Sequence, residues 1–283
     1  MKNILLLFCA GLISLGTSAQ IQTPQPSPFS KVEQKVGLTD VSIEYSRPGM
    51  RDRVIFDNLV PYGEVWRTGA NANTKITFSD DVKIAGKELK KGTYALYTIP
   101  NKDSWEILFY SDSNNWGTPE KWDENKVALK ATAEVQQMPI KMESFTILID
   151  DLKNNSATLN FIWENTLVKL PFEVPTDAKA LASIEKVMNG PSASDYFSAA
   201  TYYHETGKDL KKALEWVNKA VEMESDDAYW MLRRKSLIEA DLGMKKEAIA
   251  SAKRSLASAE KAGNADYVKM NKDSLKEWGA WKD

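Results

Sequence analysis

The spacing of apolar positions changes once along the chain, near residue 175. Upstream, short runs alternate apolar and polar residues with a period of two, the mark of strands with one buried face. Val41-Ser-Ile-Glu-Tyr45 alternates in this way. Residues 75–78 and 82–84 flank Ser79-Asp80-Asp81, which reads as a tight turn. Residues 93–99 and 105–110 are rich in β-branched and aromatic side chains and read as a hairpin. Further strands are predicted at 144–150, 157–163 and 167–173, with turns at Asn154-Asn155-Ser156 and Glu164-Asn165. Such a series predicts an antiparallel β-sandwich or barrel. Downstream the period becomes helical. Helices are predicted at 178–189, 196–206, 210–223, 228–242, 245–262 and 266–278, punctuated by Asn189-Gly190-Pro191, Gly207, Gly243 and Gly263. The expected class is therefore α+β multidomain, with a β-rich domain at 20–175 and a helical domain at 176–283.

The first nineteen residues belong to neither. Lys2 precedes an apolar run from Ile4 to Leu15, and Thr17-Ser18-Ala19 supplies small residues before Gln20. That order predicts a secretory signal cleaved after Ala19, and the run is too short to span a bilayer. Lipidation at Cys9 is the weaker alternative, because Cys9 follows Phe8 and opens the apolar run. Cleavage would place the protein in the periplasm or outside the cell. It would also remove the one cysteine, and with it disulfide and thiolate chemistry. The net charge of −2 carries no basic excess, so nucleic acid is not an expected partner, and no second apolar segment predicts an integral membrane protein.

The helical half has an internal spacing. Gly207 precedes Ala213, Val217 and Ala220, and Gly243 precedes Ala248, Ala252 and Ser255. Ala213 and Ala248 stand 35 residues apart. The pattern resembles tetratricopeptide repeats over about 194–260, whose period is about 34 residues. The second repeat departs from it with Lys235 and Ser236 where apolar and small residues are usual, and the closing proline is absent.

The β-rich half contains four arginines, Arg47, Arg51, Arg53 and Arg67, all in one short stretch among aromatics and turn residues. Arginine is favoured where a planar, two-pronged donor is needed. Two readings stand. In the preferred, structural one, the guanidinium groups pair with Asp52, Asp57 and Glu64 and satisfy loop carbonyls. In the functional one they meet an anionic ligand, and the candidate binding set is Arg47, Arg51, Arg53, Tyr62, Trp66, Arg67, Asn71 and Trp116. The same stretch carries a family resemblance. Tyr45-Ser-Arg-Pro48, Arg53-Val-Ile-Phe56, Leu59-Val-Pro-Tyr-Gly63, Val65-Trp-Arg-Thr-Gly-Ala-Asn71, Thr74-Lys-Ile-Thr-Phe78 and Gly92-Thr-Tyr-Ala-Leu-Tyr-Thr-Ile-Pro100 resemble, in order, the domain of unknown function 2911. The resemblance spans about 26–172. It implies export and a β-rich domain, often followed by helical repeats, and implies no reaction. Asp57 stands where that family usually has glycine, which bears on the local turn.

Chemistry is thinly signalled. One histidine, His204, excludes a multi-histidine metal site or a histidine triad assembled with a second imidazole, and it reads as a packed or surface group. There is no phosphate loop, dinucleotide glycine motif or zinc-protease motif. Asp80-Asp81 and Asp150-Asp151 read as turns or strand ends rather than calcium ligands. No metal or cofactor is expected. The loop 111–122 places Trp116 and Trp122 among polar residues. One of them folding back over the core is the preferred reading, and stacking on a sugar is the other. The leading expectation is a non-enzymatic envelope protein that holds a small anionic ligand or glycan, with the repeats docking a protein partner. The alternatives are an envelope hydrolase using carboxylates near 47–71 and an assembly factor acting through the repeats.

Overall fold

The computed structural model describes residues 23–188, 190–224 and 228–281. The expected export signal, residues 1–19, and the stop residue Asn189 lie outside them.

Among the described residues, nine strands form one antiparallel sheet in the order β1-β2-β3-β6-β7-β8-β9-β4-β5. They are β1 (Phe29–Val36), β2 (Thr39–Ser46), β3 (Thr74–Phe78), β4 (Val82–Ile84), β5 (Lys87–Leu89), β6 (Gly92–Pro100), β7 (Ser104–Tyr110), β8 (Val127–Asp150) and β9 (Ser156–Glu173). The sheet folds on itself along β8. The first residues of this strand pair with β7, and those from Val135 onward pair with β9, through two shifts of register. The two halves face each other across one core. Phe78 meets Phe172, and Trp105 meets Phe161, across that interior. The alternation seen in the sequence is what fills it: Val41, Ile43 and Tyr45 of β2 are all buried while Asp40 is exposed.

Two expected turns are corrected. Ser79-Asp80-Asp81 does not join a hairpin, because β3 pairs with β2 and β6 while β4 pairs with β5 and β9. The chain crosses between the halves of the sheet there. Glu164-Asn165 does not separate two strands either. β9 runs through it, and Glu164 takes a left-handed φ of 51° beside the shift of register, as in a β-bulge. The expected hairpin of β6 and β7 forms.

Among the described residues six helices follow: α1 (Thr176–Val187), α2 (Ala193–Glu205), α3 (Leu210–Met223), α4 (Tyr229–Asp241), α5 (Lys245–Lys261) and α6 (Ala265–Glu277). From α2 onward each packs on the next, and α2 also touches α4 as α4 touches α6. The close approach uses small residues. Ala200, Ala213, Ala220, Ala248 and Ala252 are wholly buried. Gly207 and Gly243 take left-handed φ values of 63° and 76° and end α2 and α4. No helix among the described residues is long and apolar enough to cross a membrane.

The sheet and the helices are joined at the β1–β2 turn. Gly37 has φ 55°, and a Cβ there would lie 1.9 Å from Thr176 Oγ1 and 2.2 Å from the Asn154 carbonyl. Only glycine admits that approach. Beside it, Lys179 donates to the Leu38 carbonyl at 2.9 Å and to Asp80, which also accepts from Thr39 at 2.9 Å. Burial pushes the Asp80 carboxyl up. Hydrogen bonds from Lys179, Thr39 and Ser79, with the Lys179 charge, outweigh it and hold the group below the usual carboxylate range.

Candidate ligand site

The segment 45–50 lies along the edge of β8 that β9 leaves free. The Tyr45 hydroxyl donates to the Ile147 carbonyl at 3.2 Å and accepts from the Ile147 amide at 3.0 Å. Arg47 Nε donates to the Phe145 carbonyl at 3.0 Å, and its Nη2 to Thr146 Oγ1 at 2.6 Å. The Phe145 amide donates to the Pro48 carbonyl, and the Met50 amide to the Glu143 carbonyl. A sheet edge exposes a row of backbone groups that need partners. Here an irregular segment supplies them, so Tyr45-Ser-Arg-Pro-Gly-Met is a rail that closes the sheet. Arg53 donates to the carbonyls of Met50 and Gly49, and Arg51 to that of Pro26. Among the described residues none of the four guanidinium groups has a carboxylate partner; each bonds carbonyls or a hydroxyl, while the Arg51 backbone amide donates to Glu143 Oε1 at 2.9 Å. The expected pairs with Asp52, Asp57 and Glu64 do not form, whereas the expected satisfaction of loop carbonyls does.

The next stretch returns alongside β6, where Trp66 and Thr98 form an antiparallel bridge. Five non-glycine residues of 51–71 have left-handed φ: Arg51, Asp52, Asp57, Thr68 and Asn71. Asp57, at 62°, occupies a conformation that glycine adopts freely and aspartate tolerates, and the turn closes with its amide on the Val60 carbonyl. Trp66 exchanges backbone hydrogen bonds with Thr98 of β6 and sends its ring into the core, stacked on Trp163 at 5.8 Å and edge-on to Phe145 at 4.9 Å. Tyr62 packs at the rim of that core. Its phenol is pushed up by burial and then by the charges of Asp57, Glu164 and Asp103. Thr68 is wholly buried at φ 55°, an outlying conformation for a β-branched residue, fixed by its hydroxyl on Thr98 and by Thr74 Oγ1 on its carbonyl.

Arg67 lies between these two anchors. Its guanidinium donates to the Asn71 carbonyl at 3.0 Å and lies flat against Gly117, where an added Cβ would stand 2.9 Å from Nη1. Asn71 is spent on structure, donating to Ser27 and Ser46. The loop 111–122 is fixed from beneath. The Tyr97 hydroxyl donates to the Gly117 carbonyl at 3.0 Å, the Asn73 amide group to the Ser113 carbonyl at 3.2 Å, and Lys126 to Asp112 at 2.8 Å. Burial, with smaller help from Tyr110 and Asp112 against hydrogen bonds from Asn115 and Asn73, pushes the Tyr97 phenol up to about 12. Trp122 folds back, stacking on Tyr110 at 4.7 Å and meeting Tyr97 edge-on at 5.3 Å. Trp116 does the opposite and is 78% exposed. Asn73, which sequence reasoning did not single out, is 3% exposed, and its Oδ1 has no hydrogen-bond partner.

The result is a platform: an exposed indole on a pinned loop, a half-buried guanidinium without a counter-ion beside it, and a buried amide oxygen below. Arg67, Asn71 and Trp116 of the candidate set come together here. Arg47, Arg51 and Arg53 belong to the rail, and Trp66 and Tyr62 to the core wall. The largest cavity described, about 880 Å³, lies elsewhere, between the β4–β5 hairpin and the start of α1, and is lined by Lys83, Phe172 and Asp177 among others. Among the described residues no group of three or more metal-ligating side chains is gathered. His204 is a satisfied structural group, with Arg234 Nη1 at 2.9 Å from Nδ1 and Asp241 at 2.8 Å from Nε2.

A model of the family described as protein of unknown function, DUF2911, matches residues 27–172, just over half of the chain. The chain belongs to this family. The DUF2911 match begins just before β1 and ends within β9, so it takes in the rail and the platform and stops short of the helices. No curated protein and no solved structure matches the chain.

Proposed function

We propose that this is an exported, non-enzymatic binding protein of the cell envelope, whose β domain holds an acidic saccharide on the Trp116–Arg67 platform. The observation that carries this reading is the pairing of a 78% exposed tryptophan with an arginine that lacks a carboxylate partner. An indole face suits the apolar face of a sugar ring, and a guanidinium suits a carboxylate in two-pronged geometry. The pinned loop holds both without further ordering, which lowers the cost of binding. Export rests on the Lys2 and Ile4 to Leu15 pattern with cleavage after Ala19. The helices, whose sequence spacing resembles tetratricopeptide repeats, brace the β domain or dock a protein partner. Against the hydrolase alternative, Asp112 of the same loop is committed to Lys126, whose hydrogen bond holds its carboxyl low.

Calorimetric titration of the purified protein with an oligosaccharide of glucuronic acid, and with its neutral glucose counterpart, tests the reading. The acidic sugar should bind more tightly. Trp116→Ala should abolish binding of both, and Arg67→Gln should remove the preference for the acidic one. Wild-type affinity in Trp116→Ala, or no binding of either sugar by the parent, refutes it.

A further inference from the structure

β1 is an edge strand eight residues long, and among the described residues its only partner is β2. Its hairpin closes over Gly37 and Leu38, with Val36 opposite Thr39. In a two-residue hairpin the closing pair is hydrogen-bonded, so bonding pairs recur at every second residue back along the strand. Ser30, Val32, Gln34 and Val36 therefore bond towards β2. The Arg47 amide on the Pro28 carbonyl keeps that phase. Phe29, Lys31, Glu33 and Lys35 turn their backbone groups outward. Among the described residues one bond is made to that outward row, from the Gln34 side chain to the Lys35 carbonyl. The same four side chains are exposed, Phe29 at 64%.

An open edge of this length is a template for another strand. Lysines on it discourage pairing with strands at large. Glu33 set between Lys31 and Lys35 changes the outcome for one partner, the strand itself. Bonding residues must face bonding residues, so an antiparallel copy has few registers to choose from. Centred on Glu33, it would place Glu33 against Glu33 and Lys31 against Lys35, all like charges. Centred on Val32, it places Lys31 opposite Glu33 twice and Phe29 opposite Lys35 twice, with no like pair. We propose that β1 is a self-recognition edge, through which two copies of the protein join antiparallel about Val32 into one continuous sheet. Charge order and overlap together select the register: opposite charges directly across a strand pair attract and like charges repel, and a copy centred on Gln34, which would also set Glu33 against Lys35, overlaps only strand residues 32–36.

Sedimentation velocity on the full protein over a concentration series tests this. The parent should dimerise reversibly. Glu33→Lys creates two Lys–Lys contacts and should weaken association on the order of tenfold. The swap Lys31→Glu with Glu33→Lys restores complementarity and should restore the dimer. These residues are exposed, and unchanged thermal melts would show each variant folded. A parent that stays monomeric, a dimer indifferent to Glu33→Lys, or a swap that fails to restore association overturns the proposal.

Discussion

Replacing Tyr45 by phenylalanine tests the rail most directly. The substitution keeps the ring, whose edge-on contact with Phe145 has a centroid distance of 6.0 Å, and removes one oxygen. That oxygen serves two buried backbone groups, the amide and the carbonyl of Ile147. Both point away from β9, so no ladder bond replaces them. Leaving one buried polar group unpaired costs about 1–3 kcal/mol, and a carbonyl costs less than an amide. The expected loss is thus about 2–4 kcal/mol, a large share of the roughly 5–15 kcal/mol that holds a typical domain folded. Urea denaturation followed by circular dichroism measures the total. Hydrogen exchange at the Ile147 amide locates it, since that amide should lose protection while those of β6 and β7 keep theirs. A loss below about 0.5 kcal/mol with Ile147 still protected would show that the edge is closed by something other than Tyr45.

Two further outcomes follow from charge and burial. The Asp80 carboxyl is held low when the joint is formed, so its contribution is full above the usual carboxylate range and fades as pH falls through the lower folded value. Helix α1 should therefore loosen from the β1–β2 turn below about pH 4, read as faster exchange of the Leu38 amide, and Asp80→Asn should remove the pH dependence. In α4, Glu239 is 4% exposed with Oε2 unpartnered; burial pushes its carboxyl up, against a hydrogen bond from Ser251 and the attraction of Lys235. Because its folded value is raised, the helices lose stability as pH rises through it. Glu239→Gln should raise the melting temperature at pH 8 and not at pH 4, and a drop at pH 8 would contradict this.

Much of the fold is legible in the pattern of apolar residues. The helix predicted at 210–223 coincides with α3, and the others shift by a few residues at their ends. What escaped is the first part of β8. Its inward positions are Leu129, Ala131 and Ala133, and alanine gives little apolar signal although all three are buried. β1 escaped because an edge strand buries little, and Val36 is its one buried residue. Pairing is harder to read than strands, since Ser79-Asp80-Asp81 has turn composition whether the chain folds back or crosses the core. At the site, the arginines were visible by type but not by partner: a guanidinium that bonds a distant carbonyl leaves no mark on its neighbours in sequence. Asn73 looked like any loop asparagine, and its burial is set by the loop 111–122, which lies well downstream.

The rail also has a temporal side. Tyr45 and its partner Ile147 are 102 residues apart in the chain. A ribosome adding about 5–20 residues per second needs roughly 5–20 s to cover that gap. For this interval the residues of β1 and β2 exist without the strand they will seal, with a buried-to-be tyrosine and arginine lacking their partners. The segment that closes the finished sheet is thus among the first to appear while its partner strand is made late, which makes it a natural stretch for a folding helper to hold.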